Sequence, residues 1–256
     1  MKIELLPVVK CEQLTATVFA LHLRSSYISD IIQPGQFINI KVQTGNYPLL
    51  RRPFSVARTH RDVITIIFDI VGEGTRILSE KRPGDTVDVL GPLGHSFTLP
   101  SAGTRPVLVA GGLGMAPMPL LTQNLKANGF SNIETFLGAR SKQFLVDYEL
   151  TNVKYATDDG SAGHHGTVIS LLDEWLENNS HNELSIYACG PNPMLRGLQE
   201  LLRVYSLSGE ISLECVMACG IGICQGCPVE SVNSTGRYRL VCNEGPVFDI
   251  HSVMIQ

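Results

Sequence analysis

Cys219-Gly-Ile-Gly-Ile-Cys224-Gln-Gly-Cys227, followed after a hydrophilic stretch by Cys242, is the segment from which the rest of the chain can be read. Three cysteines stand with four and then two residues between them, and a fourth lies farther on. That is the spacing with which a loop wraps a 2Fe–2S cluster. The chemistry asks for it, because two irons bridged by sulfides need four thiolates converging on a small volume. Gly220, Gly222 and Gly226 let the backbone turn tightly and bring N–H groups to the sulfurs, which tunes the cluster. The expected metal ligands are therefore Cys219, Cys224, Cys227 and Cys242. The alternative is a structural zinc, which is usually held by two C-x-x-C hooks. Here there is a single such hook, Cys224 and Cys227. Cys215, four residues before Cys219, reads as a fifth candidate ligand or as a buried thiol at a strand end.

Working outward, 256 residues suffice for one large domain or for two to three small ones. A hydrophobic share of 44% with 17% charged residues marks a soluble globular chain. A net charge of −4 argues against a nucleic-acid partner. No signal peptide opens the sequence, and the most apolar long run, residues 106–121, is broken by glycine and proline and too short to span a bilayer. Seven cysteines, four of them in a ligand pattern, point to a reducing compartment and a cytoplasmic protein.

Residues 1–100 alternate in short strands. Thr17-Val-Phe-Ala-Leu-His-Leu, Gln36-Phe-Ile-Asn-Ile-Lys-Val and Val63-Ile-Thr-Ile-Ile-Phe have period two, and Gly-Pro pairs punctuate them. With one helix expected at 75–80, the pattern predicts an antiparallel β-barrel. Two motifs sit in it. Arg51-Arg52-Pro53-Phe54-Ser55 opens a strand, and Arg52 has the planar fork that pairs a pyrophosphate. Taken alone it is an exposed arginine pair before an edge strand. Gly72-Glu-Gly74-Thr75 opens a helix and offers either an anion seat or an ordinary N-cap by Thr75.

Residues 101–105 form a polar linker. Pro106-Val-Leu-Val-Ala-Gly111-Gly112-Leu-Gly114-Met-Ala-Pro117 then runs a buried strand through glycines into a helix at 118–128. This begins a Rossmann-like α/β nucleotide-binding unit, with phosphate expected at the helix N-terminus. Segments at 133–138, 153–157, 168–177, 184–189 and 192–205 continue the strand–helix alternation, so a mostly parallel sheet is predicted. Arg140 and Lys142, after the second strand, are candidates to touch a ribose or its phosphate; a solvated loop is the other reading. His164 and His165 lie in a polar loop. The expected division is 1–100 for the barrel, 101–210 for the nucleotide domain and 211–256 for a small 2Fe–2S domain.

These motifs, in this order, resemble the ferredoxin–NADP reductase superfamily. Its barrel holds flavin with an R-x-[YF]-S motif and a later G-x-G-[TS] turn. The resemblance implies that Arg52, Pro53, Phe54 and Ser55 hold FAD, and that Phe68, Asp69, Ile70, Gly74 and Thr75 complete the site. The G-G-x-G-x-[AT]-P form at Gly111, Gly112 and Gly114 is the same superfamily's nucleotide loop and implies a nicotinamide nucleotide, with the choice between NAD and NADP left open by Arg140 and Lys142. Its C-G-P-x-x-[ML] turn, Cys189-Gly190-Pro191-Asn192-Pro193-Met194, implies that Cys189 faces the nicotinamide, as the catalytic residue; without the resemblance Cys189 is equally a buried strand-end thiol.

Within that superfamily the whole chain is similar to the electron transfer subunits of dihydroorotate dehydrogenase B. Leu49-Leu-Arg-Arg-Pro-Phe-Ser, Leu90-Gly-Pro-Leu-Gly, Ser212-Leu-Glu-Cys-Val-Met-Ala-Cys-Gly-Ile-Gly and Cys242-Asn-Glu-Gly-Pro-Val-Phe carry the likeness. It implies a pyrimidine-biosynthesis role. A separate catalytic subunit oxidises dihydroorotate at its FMN, and electrons pass through the 2Fe–2S cluster and FAD to NAD+. The implied assembly is a heterotetramer of two catalytic and two electron transfer subunits, docked through the glycine loop at 220–225. The chain departs from the family at Cys215-Val216, where Glu-Arg is usual, and at Gln225, Pro228 and Glu230. The alternatives are a flavin/iron–sulfur subunit of another NAD(P)H-dependent oxidoreductase, such as a ferredoxin:NADP oxidoreductase or a sulfhydrogenase, and a non-catalytic zinc-bearing scaffold.

Overall fold

The computed structural model describes residues 1–45, 47–179, 183–232 and 237–256. The hydrophilic stretch before Cys242 falls partly on 233–236, outside the described residues. Six strands close an antiparallel barrel: β1 (Lys2–Gln13), β2 (Val18–Arg24), β3 (Phe37–Lys41), β4 (Arg52–His60), β5 (Val63–Asp69) and β6 (Thr86–Leu93), in the spatial order β1-β2-β5-β4-β3-β6. β6 shows why the pattern is legible: Val87, Val89, Gly91 and Leu93 turn inward while the residues between them are more open. The barrel core is built from such positions, among them Leu21, Ile38, Ile64 and Phe68. Helix α1 (Ser26–Ile31) is capped by Ser25, whose hydroxyl accepts from the Ile28 amide.

Helix α2 (Glu73–Ser79) follows β5 after a three-residue link. Its N-cap is Gly72, which corrects the assignment of that role to Thr75. Thr75 stands one turn in, where its Oγ1 accepts from the amides of Val71 and Gly72 and donates to the Gly72 carbonyl. The threonine therefore closes the turn from inside the helix.

The nucleotide unit holds β7 (Arg105–Gly111), α3 (Met118–Ala127), β8 (Glu134–Ala139), β9 (Val153–Thr157), β10 (His164–His165), α4 (Val168–Glu177), β11 (Leu184–Cys189), α5 (Asn192–Val204) and β12 (Gly209–Ser212). The sheet order is β10-β9-β8-β7-β11-β12, all parallel, as predicted. β8 is buried along nearly its whole length, as a central parallel strand covered on both faces must be. α5 buries Leu195, Leu198, Leu201 and Leu202 on one stripe.

The C-terminal segment adds β13 (Pro228–Ser231), β14 (Tyr238–Leu240), α6 (Val241–Glu244), β15 (Val247–Asp249) and β16 (Val253–Met254). β13, β14 and β16 form their own small sheet, whereas β15 pairs antiparallel with β12 and becomes the seventh strand of the nucleotide sheet. β12 itself crosses residue 211, the expected boundary. Gln199 of α5 donates to the carbonyls of Ile250 and Val253, so the tail is held down and not frayed. Barrel and sheet are joined at Thr98, whose N–H and hydroxyl donate to the two Glu210 carboxylate oxygens, each at 2.7 Å. Phe97 meets Tyr187 edge to face at 5.6 Å beside this joint. Among the described residues no helix is long and apolar enough to cross a membrane.

Candidate functional site

A cavity of about 440 Å³ opens where the barrel, the nucleotide sheet and the C-terminal segment meet. Pro53, Phe54 and Ser55 at the start of β4 line it, with Phe68 and Asp69 at the end of β5 and Thr75 of α2. These six come from the set the resemblance implied for FAD. The strand order explains the convergence: β4 and β5 are antiparallel neighbours, so the beginning of one lies beside the end of the other. The rings of Phe54 and Phe68 lie 5.8 Å apart and give the cavity an apolar wall. Asp69 Oδ1 is buried with no hydrogen-bond partner. The cavity thus presents an acceptor that awaits a donor from its occupant.

The other implied residues stand behind the lining. A Cβ on Gly74 would come 2.6 Å from Arg52 Nε, so the missing side chain is what lets the guanidinium lie across the start of α2. The two weak sequence motifs are thereby one structural unit. Arg52 also donates to the Leu50 carbonyl. Arg51, its neighbour, does different work: it bonds the Asp88 carboxylate at 2.8 Å and the Asp88 and Asn39 carbonyls, locking β6 to β3. Ile70 donates its amide to the Thr17 carbonyl and does not face the cavity.

From the nucleotide unit, Leu113 and Ala116 reach the cavity wall. Gly111 ends β7, Gly112 begins a 3-10 turn to Met115, and Gly114 packs against the Cys189 carbonyl, where a Cβ would come within 2.2 Å. Cys189 is the last residue of β11, in register with Ala110 and Ser212. It is 1% exposed and does not line the cavity. Burial pushes its thiol well up, with Glu214 adding to the effect. Its Sγ lies 4.0 Å from Glu214 Oε1, and Glu214 does line the cavity. Glu214 is exposed where it opens onto the cavity, and partial desolvation of its carboxyl in that recess raises it above the ordinary carboxylate range. Arg140 and Lys142 are exposed just past the carboxyl end of β8. His164 is tied to Ser170 at 3.0 Å and faces Glu174 at 3.5 Å.

Sequence reasoning missed one wall of the cavity. Ser212, Leu213, Glu214, Cys215 and Met217 all line it, with Pro246. The signal was available. Ser212 ends a strand of a parallel sheet, and ligands of such sheets sit at the carboxyl ends of their strands.

The same segment continues into the cysteine loop. All seven cysteines are free. Ile221 and Cys224 donate their amides to Cys219 Sγ at 3.5 and 3.4 Å. Gly222 donates to Cys242 Sγ at 3.2 Å, and Cys242 to Cys227 Sγ at 3.4 Å. Cys227 and Cys242, both buried, have their sulfurs 3.2 Å apart. Desolvation pushes the Cys219 thiol up, but the amides of Ile221 and Cys224 outweigh it and bring it down to about 6. Burial, and then Cys227, push Cys242 up to about 12. Among the described residues no three His, Cys, Asp or Glu side chains close on a point suited to a single metal ion. What the loop supplies is a set of sulfurs with amides already aimed at them, the donor chemistry an iron–sulfur cluster uses. The loop is anchored on the barrel. Asn39 of β3 donates to the Cys219 carbonyl at 3.4 Å, and His95 to the Gly245 carbonyl at 2.6 Å.

A flavin-type barrel, a parallel nucleotide sheet and a sulfur-bearing loop around one cavity define an iron–sulfur flavoprotein oxidoreductase of the ferredoxin reductase fold. Residues 214–254 match the iron–sulfur cluster binding domain of dihydroorotate dehydrogenase B. The chain is 40% identical over 230 residues, 86% of each sequence, to the dihydroorotate dehydrogenase B (NAD(+)) electron transfer subunit of Desulforamulus reducens. It is 38% identical over the full length of both chains to that of Geobacillus sp. (strain WCH70). Among solved structures, that of an NADH-dependent reduced ferredoxin-NADP oxidoreductase superposes with a TM-score of 0.87 at 30% identity, covering 98% of this chain and 90% of that one. The cytochrome b5 reductase domain of Ulva prolifera nitrate reductase shares the fold, with a TM-score of 0.62 at 17% identity over 78% of this chain and 93% of that one. The chain belongs to the family of dihydroorotate dehydrogenase B electron transfer subunits.

Proposed function

We propose that this chain draws electrons from the FMN of a dihydroorotate-oxidising catalytic subunit and delivers them to NAD+ by way of a 2Fe–2S cluster and FAD. The setting is a cytoplasmic heterotetramer of two catalytic and two electron transfer subunits that serves pyrimidine biosynthesis. Seven free cysteines support a reducing compartment. One observation carries the reading: a single short segment, 212–217, forms a wall of the flavin cavity and runs directly into Cys219, the first expected cluster ligand. When bound, the cluster carries single electrons, nicotinamide accepts a hydride, and flavin exchanges between the two regimes.

The residues divide the remaining work. Arg52, braced across Gly74, and Pro53, Phe54 and Ser55 hold FAD, with Phe68, Asp69 and Thr75 completing the site, while Ile70, bonded to Thr17 away from the cavity, supports the end of β5 from behind. Gly111, Gly112 and Gly114 keep the nucleotide loop low against β11, so NAD can approach the carboxyl edge of the sheet. Cys189, sealed and protonated, serves the nicotinamide side as a wall and reaches the cavity only through Glu214. Glu214 can hold a proton at Oε1 beside that wall. Cys219, Cys224, Cys227 and Cys242 hold the iron. Ile223, 75% exposed, and Cys224 form the tip of the loop offered to the partner. We read the division 1–100, 101–210 and 211–256 as a division of labour, with β15 the strand of the third part that pairs with β12 of the second.

Reconstitution tests this. Added to a dihydroorotate-oxidising subunit that lacks NAD+ activity, the chain is expected to form a stable complex and confer dihydroorotate-dependent NAD+ reduction. No complex and no NADH, with ferredoxin and NADP+ accepted instead, would establish the ferredoxin:NADP oxidoreductase alternative.

A further inference from the structure

The first half of β1 is apolar on both faces. Leu6 and Val8 point into the barrel, but Ile3 and Leu5, on the opposite face, are 63% and 66% exposed. Farther along the strand the exposed residues are Lys10 and Gln13, as expected for a barrel wall in water. Ile3 opposes Leu90 of β6, and Leu90 opposes Asn39 of β3. Directly opposed residues share a face of the sheet. Leu90 packs against the core that contains Cys227 and Cys242, and Asn39 holds the Cys219 carbonyl. Ile3 therefore lies two strands, about 10 Å, from the anchor of the cysteine loop, at the margin of the area that the loop covers. Leu5 opposes Asp88, whose carboxylate bonds Arg51. Leu49 and Leu50, both exposed, lead directly into Arg51. Apolar side chains thus approach the Arg51–Asp88 pair from β1 and from the loop before β4, beside the segment that presents Ile223.

We propose that this barrel face, Ile3 and Leu5 with Leu49 and Leu50 around the Arg51–Asp88 pair, docks the catalytic subunit together with the cysteine-loop tip. Singly exposed apolar residues are ordinary, whereas a group of them beside one another marks a contact surface. The occupant follows from position and size. Each partner in a stable complex buries about 800 Å², more than a loop tip of a few residues offers, and the barrel face is the apolar surface next to it. A second copy of this chain seated here would cover the loop through which electrons enter. A half-buried arginine ringed by apolar side chains has the composition of an interface centre.

The inference rests on the catalytic partner proposed above, and the experiment separates the two. Full-length holoprotein is titrated with the dihydroorotate-oxidising subunit, and the dissociation constant is read alongside dihydroorotate-linked NAD+ reduction. Ile3→Glu with Leu5→Glu is expected to retain iron, FAD and NADH oxidation by an artificial acceptor, because both side chains stand in solvent in the free chain. Its dissociation constant rises by about a hundredfold, and the rate of NAD+ reduction recovers when the catalytic subunit is raised to saturation. Val204→Glu is the control. Val204 is 79% exposed at the end of α5, which lies at the amino edge of the nucleotide sheet, and its substitution leaves the affinity unchanged. Should the double variant fail to accumulate, hydroxyl-radical footprinting of the wild-type complex carries the test, with protection expected at Met1, Ile3 and Leu5. Wild-type affinity in the double variant, or a footprint without protection there, overturns the proposal. So does a double variant that loses only self-association of this chain, because the occupant would then be a second copy. A wild-type chain that binds no catalytic subunit sinks the proposed function itself.

Discussion

Cys224→Ser is expected to abolish the iron–sulfur absorption and EPR signals while FAD stays bound, and to stop dihydroorotate-linked NAD+ reduction. A serine hydroxyl is a harder, far less acidic donor than a thiol, so it does not replace a thiolate on iron. Losing an outer-shell partner of a metal site costs roughly 10–100-fold in affinity or activity, and losing a ligand costs more. Cys224 is exposed at the tip of its loop and absent from the cavity wall. Its backbone amide, which donates to Cys219 Sγ, survives the substitution. The expected phenotype is therefore selective. NADH oxidation with an artificial flavin acceptor persists, whereas transfer from the catalytic partner falls by more than about hundredfold. Retention of full partner-linked activity in this variant would refute the relay.

The second large effect is expected at Gly220. Its φ is +69°, where an L side chain is strained, and an added Cβ would lie 1.9 Å from Asn39 Nδ2. Asn39 cannot simply withdraw. It is 1% exposed, sits in β3 between Pro53 of β4 and Leu90 of β6, and donates to the Cys219 carbonyl. Gly220→Ala thus forces either the barrel strand or the first ligand to move. Left-handed strain of ~1–2 kcal/mol and overpacking of ~1–3 kcal/mol act together, so cluster retention is expected to fall by well over tenfold. Gly222→Ala is the control. Its φ is similarly positive, at +82°, but the nearest atom to an added Cβ is 3.3 Å away on the Asn243 side chain. It should lose less, by the overpacking share. Iron content per chain after gel filtration measures both; equal loss in the two variants would show that backbone strain alone matters and that the Asn39 contact does not.

These two sites show what could be read before the fold was known. The ligand loop is local: spacing and glycines are visible within nine residues, so Cys219, Cys224 and Cys227 announce themselves. The barrel and the parallel sheet are legible because burial has a period, two in β6 and a continuous run in β8. What stayed hidden is non-local. Arg51 and Arg52 look alike in sequence, and only the fold separates a strand lock on Asp88 from a guanidinium laid across Gly74. The bond from Asn39 to the Cys219 carbonyl, beside which Gly220 packs, spans 180 residues of chain and leaves no pattern. β15 is three residues long, too short for any periodicity, so its return to the nucleotide sheet is set by pairing with β12. Thr75 reads as the N-cap of α2 from the sequence, whereas the structure gives that role to Gly72, because a glycine N-cap has no side chain to announce it.

The most direct measurement is the iron and acid-labile sulfide content of anaerobically purified protein, taken with its visible and EPR spectra before and after reduction. The account predicts two irons and two sulfides per chain beside one FAD, with an EPR signal that appears on one-electron reduction. Colourless protein carrying zinc, or yellow protein with flavin alone that still links dihydroorotate oxidation to NAD+, would contradict it.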